Sequence, residues 1–166
     1  MDKRLLFDEA YADCFSRVYA YFSLCFGEQA AEELAQQTFI KVWHRMQMLA
    51  FNPPDNWRAW VFRIAVNVKN DYLRQQYRRP FPDPLPQDYP AAGEMEEETL
   101  KKLCVEEAFS RISLQEKEVL LLYAGGLSSR ELGEILGISA SAARSRLAAA
   151  RKHLETEWKL CGGDEN

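Results

Sequence analysis

The chain has 166 residues, 47% of them hydrophobic, with 21 Lys+Arg against 25 Asp+Glu and a formal charge of −4. That length holds one or two small domains. The net acidity excludes a generic basic coat for nucleic acid, and no apolar run reaches the ~20 residues that a bilayer-spanning helix needs.

The first residues, MDKRLLFDEAYADCF, place acids inside an apolar stretch and do not read as a signal peptide, so a cytoplasmic location without membrane insertion is expected. A helix is predicted over residues 5–26, where Phe7, Tyr11, Cys14, Phe15, Val18, Tyr19 and Phe22 recur at helical spacing and Gly27 marks the end. A second runs over 28–48, with Ala31, Leu34, Thr38, Val42 and Met46 on one side. Its remaining faces carry Glu33, Gln36, Gln37, Lys41 and Arg45, which periodicity alone assigns to solvent. Phe51-Asn52-Pro53-Pro54-Asp55-Asn56 breaks the pattern and is a loop.

A long helix follows over 57–79, with Trp57, Trp60, Val61, Ile64, Val68 and Tyr72 as its buried face. Beside that face, Arg63, Asn67, Asn70, Arg74 and Arg78 line up at i, i+4, i+7, i+11 and i+15. Such a row can track a phosphate backbone while its amides read bases. The next segment, 80–98, contains Pro80, Pro82, Pro84, Pro86 and Pro90 and reads as an extended linker and the domain boundary.

Beyond it, a helix is predicted over 99–112, with Leu100, Leu103, Cys104, Ala108 and Ile112 inward. Ser113 and Glu116 have the capping-box spacing and open a helix with Val119, Leu120, Leu122 and Tyr123, which Gly125-Gly126 ends. Ser128 and Glu131 repeat the box ahead of the apolar stripe Leu132, Ile135 and Leu136. Gly137 can turn the chain sharply, and Ser139 can cap the following helix. In that helix Ala143, Leu147, Ala150 and Leu154 face inward together, which turns Ser141, Ser145, Ala148 and Lys152 outward, with Arg144, Arg146 and Arg151 on the shoulders. This is a helix-turn-helix whose second helix suits a DNA major groove. The tail, 161–166, is expected to fray.

Charge follows the same division. Residues 63–79 set Arg63, Lys69, Arg74, Arg78 and Arg79 against the single acid Asp71. Residues 139–153 carry Arg144, Arg146, Arg151 and Lys152 with no acid, and residues 80–98 hold acids only. Two basic patches separated by an acidic spacer is not the pattern of a generic basic coat for DNA. Cys14, Cys25, Cys104 and Cys161 form no metal-ligand spacing and read as small core residues or free thiols. No nucleophile, phosphate loop or His cluster suggests catalysis, a small-molecule substrate or a cofactor.

The ordered motifs resemble one family. Glu32–Trp43, Trp57–Asn67 with Asp71–Arg74 and Arg78-Arg79, Ser113–Leu122, and Gly126–Leu154 together resemble an extracytoplasmic-function (ECF) sigma factor of bacterial RNA polymerase. The resemblance implies an all-α fold of two small helical domains joined by a Pro-rich acidic linker. It divides the chain into a region 2 domain (1–79), a linker (80–98), a region 4 domain (99–160) and a tail. It implies core RNA polymerase, promoter DNA and an anti-sigma factor as partners.

It also implies site residues. Polymerase would be held by Glu33, Leu34, Gln36, Gln37 and Lys41. The melted −10 strand would be held by Asn52, Asp55, Asn56, Arg63, Asn67, Asn70, Arg74, Arg78 and Arg79, with a flipped base near the Asn52–Asn56 loop. The duplex −35 element would be read by Ser129, Arg130, Ser139, Ser141, Arg144, Ser145, Arg146, Arg151 and Lys152. The chain departs from the family pattern at Gln37, Val66, Ala142-Ala143 and Ala149, and the last two sites weaken the phosphate grip of the recognition helix.

Overall fold

A computed structural model describes residues 2–78 and 97–162, and the described residues form seven α-helices and no strand. In chain order they are α1 (Lys3–Phe26), α2 (Glu28–Gln47), α3 (Trp57–Arg78), α4 (Glu97–Ser110), α5 (Leu114–Ala124), α6 (Ser129–Leu136) and α7 (Ala140–Leu160). The predicted linker, 80–98, lies almost wholly outside the described residues, as does Arg79.

Local chemistry fixes the helix ends. Asp2 caps α1 by accepting from the Arg4 N–H at 2.9 Å. Ser113 and Ser128 each accept from the N–H three residues on, while Glu116 and Glu131 reach back to the cap N–H at 2.8 Å, so both capping boxes are complete. Gly137 sits at φ 70°, the left-handed conformation that ends α6 and turns the chain into α7. Ser139 Oγ then accepts from the Ala142 N–H at 3.0 Å.

The first three helices pack as a unit around Cys14, Val18, Tyr21, Phe22, Leu34, Val42, Met46, Val61, Phe62 and Ile64. A row of aromatics runs along the α1–α2 seam: Phe7 and Trp43 cross edge to face at 5.3 Å, and Tyr11 meets Phe39 at 4.9 Å. Offset and T-shaped contacts of this kind add to simple area burial. In the second half, Val119, Leu122, Leu127, Leu132, Ala143, Leu147 and Ala150 pack α5, α6 and α7 together. His153 Nδ1 lies 2.8 Å from Glu116 Oε1 and clips α7 to the start of α5. That hydrogen bond raises the His153 pKa above its usual value.

The two halves share one continuous core, because α1 packs on α5 and α3 packs on α6. Two buried charges lie at this seam. Lys69 of α3 is 7% exposed and Glu118 of α5 is 6% exposed, and they pair with each other. Tyr21 of α1 donates its hydroxyl to the same Glu118 oxygen at 3.0 Å. Burial, with Glu118 beside it, holds the Tyr21 phenol well above its ordinary pKa.

Inward assignments in α4 and α3 need correction. Leu100 is exposed, because the buried residues of α4 are Ala108 and Phe109 at its other end. Tyr123 is also exposed and carries the Arg151 guanidinium over its ring at 4.5 Å. Trp57, Trp60 and Tyr72 are only half-buried at the edge of the core.

Candidate nucleic-acid interface

The recognition helix has the phase that its sequence predicts. Ala143, Leu147 and Ala150 are buried, and Ser141, Arg144, Ser145, Arg146, Arg151 and Lys152 are exposed. Among the described residues no acid pairs with Arg144, Arg146 or Lys152, so their donors are available to phosphates and base edges. Ser139 is spent on the α7 cap, and its exposure at the helix start leaves it beside that face. Ser129 is half-buried at the first turn of α6, and the exposed Arg130 pairs with Glu134 at 3.4 Å. Arg151 is exposed and its guanidinium lies over the Tyr123 ring.

The α3 row is equally ordered. Arg63, Asn67, Arg74 and Arg78 are exposed and Asn70 is half-buried, all beside the buried stripe of Val61, Ile64 and Val68. Arg74 contacts Asp71 at 3.0 Å, one turn back. Lys69 belongs to the same stretch of sequence but not to this surface, because it is buried against Glu118. In the preceding loop Asn52 and Asp55 are exposed. Asn56 is half-buried and already engaged: its Oδ1 accepts from the Ala59 N–H at 3.3 Å, and its Nδ2 donates to Glu131 Oε1 of α6 at 2.6 Å. Behind the loop, Phe51, Trp57 and Trp60 form an aromatic trio with centroid separations of 5.5–6.2 Å. A half-buried trio of this kind offers faces on which an unpaired base can stack.

On α2, Glu33, Gln36, Gln37 and Lys41 share an exposed face. Gln37 donates to Glu33 at 3.2 Å, and Lys41 reaches Asp71 of α3 at 3.3 Å. Leu34 does not belong with them; at 2% exposure it is a core residue, and the sequence assignment of a partner contact is corrected. Ile40, 56% exposed, stands amid these polar residues and is an apolar surface residue that the sequence reading did not single out. A period-3.6 pattern with one misplaced isoleucine was the only signal for it.

Comparison with known proteins agrees with this geometry. Residues 6–79 match the family Sigma-70 region 2, and residues 102–154 match Sigma-70, region 4. RNA polymerase sigma factor NccH of Alcaligenes xylosoxydans xylosoxydans is 30% identical over 83% of this chain and 79% of its own length. The probable RNA polymerase sigma factor RfaY of Xanthomonas campestris pv. campestris is also 30% identical, but this chain spans only about a third of it, 34%. Among solved structures, CnrH in complex with the cytosolic domain of CnrY is 26% identical with a TM-score of 0.66, covering 98% of this chain and 91% of that one. The sigma factor RpoE in complex with the anti-sigma factor NepR from Bartonella quintana has a TM-score of 0.72 at 23% identity, covering 93% and 97%, and so shares the fold. The chain belongs to the RNA polymerase sigma factors, in the extracytoplasmic-function group. No helix among the described residues is long and apolar enough to cross a membrane.

Proposed function

We propose that this chain is a promoter-specificity factor that binds core RNA polymerase and directs transcription initiation without enzymatic activity of its own. The observation that carries the proposal is the pair of exposed cationic rows on α3 and α7, lying in that order within matches to regions 2 and 4. In this reading the domains are residues 1–79 and 99–160, tethered by 80–98, and the protein works in the cytoplasm. The α2 face of Glu33, Gln36, Gln37, Ile40 and Lys41 docks on the polymerase. The α3 row with Asn52, Asp55 and Asn56 holds the opened −10 strand, and the exposed face of α7 with Arg130 reads the −35 duplex.

The chemistry fits the division of labour. Duplex recognition needs small residues against base edges with cations at the flanking phosphates, which Ser141 and Ser145 between Arg144, Arg146 and Lys152 supply. Strand capture needs donors spaced along one helix face, with stacking surfaces for unpaired bases beside it. A net charge of −4 limits unassisted DNA binding, so polymerase must bring both patches to the promoter together. Two structural neighbours are complexes, one with the cytosolic domain of CnrY and one with the anti-sigma factor NepR, and an anti-sigma partner is proposed here on that basis.

The test is promoter opening by the Arg74→Ala/Arg78→Ala variant. Hydrogen bonds to charged groups are worth ~1.5–3 kcal/mol, so open complex measured by permanganate reactivity is expected to fall tenfold or more. Core polymerase binding is expected to stay unchanged. Equal opening by variant and wild type, or specific promoter binding that needs no polymerase, would instead indicate a plain helix-turn-helix regulator.

A further inference from the structure

Two of the four cysteines meet across the region 4 half, at a place that neither polymerase nor DNA contact uses. Cys104 of α4 aims its thiol at the end of α7, which packs beside it. Its Sγ lies 3.3 Å from the Cys161 carbonyl oxygen and 4.0 Å from that of Trp158. Both cysteines are reduced and half-buried. Burial, and then Glu107 and the Cys104 thiol itself, hold the Cys161 pKa above its ordinary value, so the two thiols are close enough to interact. Each side chain turns about χ1 alone, among three staggered wells, and few arrangements separate this contact from a bonded one. Cys14 and Cys25 lie apart from the pair, on α1, where burial pushes their thiols up to about 11 and about 12.

We infer that Cys104 and Cys161 form a redox-sensitive site, which a small-molecule disulfide such as oxidised glutathione converts into a covalent staple between α4 and α7.

The exchange balances with no further reagent. The thiolate of one cysteine attacks a sulfur of the oxidant, a mixed disulfide forms, and one small thiol leaves. The second cysteine then attacks the protein sulfur of that mixed disulfide. This closes the Cys104–Cys161 bond and expels the other small thiol. Two electrons pass from the pair to the oxidant, and the two cysteine protons end on the released thiols. The raised pKa of Cys161 keeps its thiolate scarce at neutral pH, so the site answers sustained oxidation rather than a brief pulse.

What the bond encloses gives it a role. The two cysteines are 57 positions apart, and α5, α6 and α7 all lie between them. Closing a loop of this length restricts the unfolded chain and favours the folded one. The first turns of α4 have the least packing to hold them: residues 97–102 are exposed, and the helix buries only Ala108 and Phe109. The recognition face stays clear, because Cys161 stands ~24 Å beyond Ser145 along α7 at ~1.5 Å per residue. Oxidation therefore steadies the helix-turn-helix without covering the side that faces DNA.

The test uses the full chain, folded, after reduction with dithiothreitol or incubation with oxidised glutathione. The oxidised protein is expected to be a monomer lighter by two hydrogens, with the tryptic peptides that contain Cys104 and Cys161 joined. Its melting midpoint is expected to lie ~4–16 °C above that of the reduced protein. Cys104→Ser and Cys161→Ser should each abolish the link and the rise together. The joined peptides are read on wild type, so the mass measurement stands even where a variant folds poorly. Unreacted thiols, separate glutathione adducts on the two cysteines, a link to Cys14 or Cys25, or disulfide-joined dimers would overturn the site. A Cys104–Cys161 bond that does not raise the midpoint would overturn the staple.

Discussion

Phe62→Ala lowers the stability of the whole chain by ~3–5 kcal/mol, the range for deleting a buried aromatic side chain. Phe62 is fully buried, crosses the Tyr21 ring edge to face at 6.1 Å and lies against Gly125 of the other half. Its removal opens a cavity in the core that both halves share, so the loss is felt on both sides of the seam. For a chain of this size each kcal/mol moves the melting midpoint by ~2–4 °C, giving an expected fall of about 6–20 °C. Urea titration followed by circular dichroism supplies the free energy. A loss below about 1 kcal/mol, the usual effect of an uninvolved position, would show that Phe62 does not bridge the halves.

Gly133→Ala has the second large expected effect, and its sign is decided by backbone contact. Alanine is the better helix former by ~1 kcal/mol, so helix propensity alone predicts stabilisation. The added Cβ, however, would lie 2.6 Å from the Ile138 carbonyl oxygen and 3.1 Å from the Ser139 carbonyl carbon. These are backbone atoms of the turn, which Gly133 itself anchors by accepting from the Ile138 N–H at 2.9 Å. Neither side can swing away, so the α6–α7 turn must open and α7 must tilt. Overpacking of this kind costs ~1–3 kcal/mol. Thermal melting should show the loss, and −35-dependent transcription should fall more than core polymerase binding. A Gly133→Ala protein more stable than wild type would mean that the turn is looser than the structure shows.

What could be read in the sequence was local. Ser113, Ser128 and Ser139 act through hydrogen bonds to N–H groups three residues on, and Gly137 through its own φ, so their roles are legible from a few neighbours. The phase of α7 was legible because Ala143, Leu147 and Ala150 repeat with the helix period. The seam was not legible, because its partners are far apart in the chain: Lys69 and Glu118 are separated by 49 positions, and Asn56 and Glu131 by 75. Lys69 belongs to a stretch whose other charged residues, Arg63, Asp71, Arg74 and Arg78, are all exposed, and its residue type does not signal burial. Leu34 and Ile40 show the same limit within one helix. Both are aliphatic, and only the packing of α1 and α3 against α2 determines which one is covered.

The most direct measurement is run-off transcription on sheared genomic DNA from the host, with core RNA polymerase alone and with this protein added. A sigma factor gives discrete new transcripts only when it is present, and aligned start sites give its −10 and −35 sequences. If polymerase binds the protein and starts nowhere, or does not bind it at all, promoter-directed initiation by this chain is contradicted.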